Sequence, residues 1–199
     1  MRILRIVLIV CAAILLLFLL VNLIFRPAKK SSTTSTTTPT VSLSETFASA
    51  GGTDAIVTFQ TDGVINGNDQ HRQIQISVSK TSRTLTVFQG YQGSVLSTQS
   101  FSNNDSAFQS FLNAIYGAGF TNTKSNSTQT NIAGACPLGN RFIYSSKNIS
   151  GAPASLWAAT CGNKIGTFGG NVTTVNTLFR SQIPNYNSLV SGVNLNQTQ

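Results

Sequence analysis

From Ile6 to Phe25 the chain reads IVLIVCAAILLLFLLVNLIF, an unbroken apolar run whose only polar member is Asn22. As a helix this run is about 30 Å long at about 1.5 Å per residue, which matches the hydrocarbon core of a bilayer. It predicts an uncleaved transmembrane anchor. A secretory signal has an apolar stretch of only about 7 to 15 residues followed by a small-x-small cleavage site, and Asn22-Leu23-Ile24-Phe25-Arg26 offers no such site. A lipoprotein signal would use Cys11, but Val10 stands where a small residue is wanted and too little apolar sequence precedes it.

The run also explains most of the charge. Lys and Arg total 13 against 5 Asp and Glu, a net +8. Five of the basic residues, Arg2, Arg5, Arg26, Lys29 and Lys30, flank the apolar helix, so the rest of the chain carries 13 − 5 = 8 cations against all five acids, or +3. The remaining cations are dispersed (Lys80, Arg83, Lys124, Arg141, Lys147, Lys164 and Arg180, besides Arg72) and form no basic run, which argues against a nucleic-acid partner. Flanking charge nearly balances across the helix, so it leaves orientation open. A cysteine pair, a Ser/Thr run and a surface of Ser, Thr, Asn and Gln favour a C-terminal domain outside the cytoplasm. The predicted location is a cell membrane crossed once.

Four segments follow: a short cytoplasmic N-terminus (1–5), the anchor (6–25), a Ser/Thr-rich tether (26–40) and an extracytoplasmic domain (41–199). The tether core, SSTTSTTTPT, cannot bury a core. As a coil the segment reaches on the order of 20 Å, and at most about 50 Å drawn out.

The domain reads as α+β, a small antiparallel meander sheet with two helices packed on it. Ala55 to Ile65 makes a first strand, bulged at Gly63, and Asn66-Gly67-Asn68-Asp69 a turn. In RQIQISVS, Ile74, Ile76 and Val78 alternate with polar residues, which gives one buried and one wet face. TLTVFQ and SVLSTQSF follow as further strands, separated by Gly90-Tyr91-Gln92-Gly93. Ser102 or Asn103 can cap a helix carrying Phe108, Phe111, Leu112, Ile115 and Tyr116 at helical spacing, with Gly117 and Gly119 as its stop. The stretch from Thr121 to Gly134 is loop-like. RFIYSS and SLWAATC suggest two more strands, with a Gly162-Asn163 turn leading to KIGTF. A second helix starts near Asn171, carries Val172, Val175, Leu178 and Phe179, and ends before Pro184.

Candidates for chemistry are few. Cys136 and Cys161, 25 positions apart and without CxxC spacing, predict a structural disulfide rather than a metal site or a catalytic thiol. His71 is the only histidine, so the ligands needed to close a zinc site are lacking, and no cofactor motif is present. His71 lies beside a turn and reads as a surface residue. A triad of a Ser, His71 and Asp69 or Asp62 is conceivable, but no nucleophile elbow accompanies it. Glycoside hydrolysis would need two facing carboxylates, and Asp54, Asp62, Asp69 and Asp105 are mostly turn or cap residues. Asp62, Asn66, Asn68 and Asp69 gather oxygen donors suited to weak calcium binding, yet not at EF-hand spacing. Asn-x-Ser/Thr sequons at Asn104, Asn126, Asn148, Asn171 and Asn196 agree with a surface location.

For binding, the candidate contact regions are the exposed edge of the meander, the 121–134 loop, and the segment around Asn185 and Tyr186. Tyr91, on a glycine-flanked turn, is expected to project its ring toward a sugar or a partner side chain. The favoured expectation is a non-catalytic binding module that engages an envelope protein or glycan. The alternatives are a surface enzyme or an enzyme inhibitor, and a structural subunit of an envelope or pilus-like assembly.

Overall fold

The computed structural model describes Glu45, Phe47, Ser49 and residues 54–196. The anchor and tether expected from the sequence lie outside these residues. Among the described residues no helix is long and apolar enough to cross a membrane.

The expected alternation produces strands β1 (Ile56–Asp62), β2 (Arg72–Ser79), β3 (Ser82–Gln89) and β4 (Ser94–Ser102), then helix α1 (Asp105–Gly117), strands β5 (Arg141–Lys147) and β6 (Ser155–Ala159), and helices α2 (Val172–Arg180) and α3 (Tyr186–Leu189). All six strands form one sheet in the order β4-β3-β2-β1-β5-β6, antiparallel throughout. β1 to β4 run as a meander. After α1 the chain returns to the free side of β1 and adds β5 and β6 there.

Register follows the hydrophobic pattern, because a slip by one residue would turn every apolar side chain outward. Phe59 pairs with Ile76 on one side and Tyr144 on the other, and Ile76 pairs with Leu85. This row, with Val57, Ile74, Val78 and Val87, forms the buried face. On it lie Phe108, Phe111, Leu112 and Ile115 of α1 and Val175 and Phe179 of α2. Phe179 links the layers, 5.6 Å from Phe59 and 5.0 Å edge-on from Phe111 between ring centroids. Each aromatic side chain buried there contributes roughly 2–3 kcal/mol. The opposite face carries Thr58, Gln60, Gln73, Gln75, Ser77, Thr84 and Thr86, all partly exposed.

Both main helices start on asparagine caps. Asn104 accepts from the Ala107 amide and Asn171 from the Thr174 amide, each at 2.9 Å. The first cap is therefore Asn104 and not Ser102 or Asn103; Asn103 instead donates its side-chain amide to the Ser79 carbonyl at 2.6 Å. At three other points the structure departs from the sequence pattern or adds to it. β1 stops at Asp62 without a bulge at Gly63, because Val64 leaves the sheet to donate to the Leu195 carbonyl at 3.0 Å. The irregularity lies in β4, where Val87 faces Ser97 and Phe88 faces Val95, leaving Leu96 over. KIGTF forms isolated bridges and no strand of its own, and the short helix α3 follows Pro184 unannounced by any apolar period.

Tyr144 carries a polar group through this core. Its hydroxyl donates to Asn176 Oδ1 at 2.7 Å, tying β5 to α2. Burial pushes its phenol well above the ordinary tyrosine range, against a smaller opposing pull from the Arg180 charge. The folded state therefore holds this proton more tightly than the unfolded chain does. The associated stability is complete below about pH 10 and declines as pH rises above it. We expect the urea midpoint to fall between about pH 8 and about pH 11, and to fall less in Tyr144→Phe. That variant should also lose about 1–3 kcal/mol at neutral pH, since Asn176 Oδ1 is left buried without its donor. Equal alkaline losses in both proteins would assign the effect elsewhere.

Candidate functional site

One end of the sheet gathers nearly all the unusual chemistry. The ends of β1 and β3 and the starts of β2, β4 and β5 meet there, since Asp62 pairs with Gln73 and Arg141, and Gln89 pairs with Arg72 and Ser94. Asp62 Oδ1 lies 2.8 Å from His71 Nε2, and Asp62 Oδ2 accepts from Arg141 Nε at 2.8 Å and Nη2 at 2.7 Å. The Asp62 side chain is 14 % exposed, while His71 is 0 % and Arg141 3 % exposed. One carboxylate thus faces two buried basic side chains.

The remaining donors of those side chains bind backbone. Arg141 Nη1 donates to the Ala135 carbonyl at 3.1 Å and Nη2 to the Gly63 carbonyl at 2.6 Å. His71 Nδ1 sits 3.0 Å from the Val64 carbonyl, and the Gln73 amide nitrogen is 3.3 Å from Nε2. A backbone carbonyl oxygen and a carboxylate oxygen thus face the two ring nitrogens. The cluster pins the 63–65 and 134–136 segments to the sheet.

Two expectations change here. His71 is not a surface residue: it is wholly buried, and the Tyr91 ring covers it, stacked at 4.0 Å and 14°. Tyr91 does not project outward. Its hydroxyl donates to the Asn66 carbonyl at 2.9 Å and accepts from the Asn66 amide at 3.0 Å, and its own amide donates to Asn68 Oδ1 at 2.9 Å. The ring remains half exposed on its outer side. Of the oxygen donors considered for calcium, both Asp62 oxygens and Asn68 Oδ1 are engaged within the protein. Asp54 and Asp62 flank opposite ends of β1, about 26 Å apart at about 3.3 Å per residue, too far to act on one glycosidic bond.

Beside the cluster a pocket of about 270 Å³ opens on the polar face of the sheet. Gln60, Gln73 and Asp62 supply its polar wall, and Tyr91, Ile132 and Ile143 its apolar wall. The loop bearing Ile132 is held over the sheet by Trp157, whose indole N–H donates to the Thr130 carbonyl at 2.8 Å. A second pocket, about 210 Å³, lies beside β6 and α2. Its only charged wall residue, Lys124, already donates to the Asn163 and Ile165 carbonyls at 2.6 and 3.2 Å. The first pocket therefore has the richer chemistry.

The same end of the sheet also carries the exposed apolar surface. Of six large apolar side chains exposed among the described residues, Ile65, Tyr91, Val95, Leu96 and Leu138 belong to this end, and Leu189 alone does not. Leu138 is 77 % and Val95 60 % exposed. Cys136 and Cys161 form the expected disulfide beside them, with Cα atoms 5.6 Å apart. Tyr186 and Asn185 lie apart from this cluster, on α3 and its cap. Tyr186 packs against the core under the Arg180 guanidinium, 5.7 Å from its ring centroid. Burial raises its phenol, with the Arg180 charge and hydrogen bond opposing. Asn185 is an exposed left-handed residue at φ 55°.

Sequence reasoning missed Arg141, Gln60, Gln73, Ile65 and Leu138. The available signal was scarcity: with five acids in the chain, a cation opening an apolar strand (Arg141 before Phe142 and Ile143) has few possible partners. No family model matches the chain, and no curated protein matches it.

Proposed function

We propose that this chain is a single-pass, membrane-anchored binding domain, held outside the cytoplasm by residues 6–25 and a Ser/Thr tether, and that it engages an envelope protein through the Tyr91 end of its sheet. The observation that carries this reading is the concentration of exposed large apolar side chains (Ile65, Tyr91, Val95, Leu96 and Leu138) at one end of the sheet, with Ile65 and Tyr91 lining the pocket there. Exposed apolar side chains gathered in one place and rimmed by polar groups are the usual mark of a protein contact. A non-catalytic role fits the same geometry. His71 has both ring nitrogens engaged and no exposed surface, so it has no nitrogen to offer a substrate.

A neutral glycan is the second reading, supported by the outer face of Tyr91 beside the Gln60 and Gln73 amides. One experiment separates the two. A photo-crosslinking residue is placed at Leu138, at Val95 and, as a control on the exposed side of α1, at Ser110 in intact cells. The protein reading expects one protein adduct shared by Leu138 and Val95, weakened more than about tenfold by Ile65→Asp. A carbohydrate adduct would transfer the site to the glycan reading. Adducts equal to those at Ser110 would remove this end as the contact. In the same cells a membrane-impermeant maleimide should label Cys136 and Cys161 only after reduction; labelling confined to lysed cells would overturn the external location.

A further inference from the structure

The two edges of the sheet are treated differently. Along β6 the chain covers its own edge: Ala158 bridges Gly166, the Thr167 and Phe168 amides donate to the Trp157 carbonyl at 2.8 and 2.9 Å, and Thr167 Oγ1 accepts from the Trp157 amide at 3.1 Å. At the other edge, no described residue pairs with the outer side of β4, and every residue of that strand except Phe101 is exposed. Natural edge strands are normally guarded by charge, proline or short length. β4 spans nine residues, SVLSTQSFS, and contains neither a charge nor a proline. Its one irregularity, at Leu96, leaves Ser97 to Ser102 in regular register with β3.

We propose that this edge is an interface for a second copy of the chain, the two β4 strands pairing antiparallel about a two-fold axis normal to the sheet. An edge offers backbone amides and carbonyls, so its occupant is another strand. The chemistry of β4 selects a strand without charge, and its own Ser97–Ser102 segment meets that condition. A dyad near Thr98 or Gln99 brings like faces together, setting hydroxyls against hydroxyls and amide against amide. The hydroxyl row already present between β3 and β4, where Thr84 Oγ1 and Ser100 Oγ are 3.2 Å apart, would then continue across the axis. Such a contact is self-complementary, and because the β6 edge is covered, association stops at two copies instead of growing into a fibre.

The test uses the full chain in mild detergent, in a Cys11→Ala background with the structural disulfide intact. Single cysteines at Ser97, Thr98, Gln99 and Ser100 are oxidised alongside Thr58→Cys, which lies on the polar face in a central strand. The expected result is a disulfide-linked dimer at one or two adjacent β4 positions and none at Thr58. Gln99→Lys, which sets like charges near the axis, should convert the chain to monomer by sedimentation while its circular dichroism spectrum stays that of the folded parent. A monomeric parent chain would overturn the proposal, as would a dimer that survives Gln99→Lys without β4 crosslinks. The first result would leave the edge to another segment or protein, and the second would place the contact away from β4.

Discussion

Asp62→Ala should destabilise the fold by about 3 kcal/mol, the lower end of the cost of breaking a buried ion pair. The cost arises less from the bonds lost than from what is left behind. Arg141, 3 % exposed, would keep its contacts to the Ala135 and Gly63 carbonyls, but its charge would have no counter-ion. Asp62→Asn keeps the shape and some hydrogen bonding and should lose less. Arg141→Met in the Asp62→Ala background should recover part of the loss, because it removes the stranded charge and leaves an apolar side chain of similar length. These changes are read from urea unfolding. A loss below about 1 kcal/mol in Asp62→Ala would mean that water reaches Arg141 and that the cluster is no structural pin.

Legibility in the sequence followed the range of the interaction responsible. Ile74, Ile76 and Val78 alternate because β2 has one wet face, and the sequence shows that face directly. Phe108, Phe111, Leu112 and Ile115 recur at helical spacing for the same local reason, and the Cys136–Cys161 bond follows from there being just two cysteines after residue 40, 25 positions apart. His71 lies between Gln70 and Arg72 next to a turn, a setting that is locally polar. Its burial is imposed by Asp62 and Tyr91, which tertiary pairing brings to it. Tyr91 misleads in the opposite way. Glycines around a turn suggest a ring standing free, yet Gly90 at φ 72° turns the chain so closely onto Asn68 that a Cβ there would lie 2.8 Å from its Oδ1, and the ring folds back over His71. Arg141 becomes intelligible only once β5 pairs with β1 and faces Asp62. That pairing skips three strands and α1, and no local pattern announces it.

Cys136→Ala with Cys161→Ala should cost roughly 3.5 kcal/mol, as expected from the entropy of closing a 25-residue loop. The bond lies just beyond the open end of the β5–β6 hairpin, where Arg141 pairs with Ala159 and the Thr160 amide donates to the Asn140 carbonyl at 3.0 Å. It holds the 134–140 segment against β6 as Arg141 holds the same segment against β1 through the Ala135 carbonyl. Two restraints on one short segment are not independent. Once either is removed, the segment recovers most of its freedom, and removing the second releases less. The triple variant with Asp62→Ala should therefore lose less than the sum of the two separate losses, by about 1 kcal/mol. Strict additivity would show that the disulfide and the Asp62 cluster stabilise separate parts of the fold. A coupling of the expected sign would identify the 134–140 segment, which presents Leu138 and borders the pocket wall, as the element both restraints hold in place.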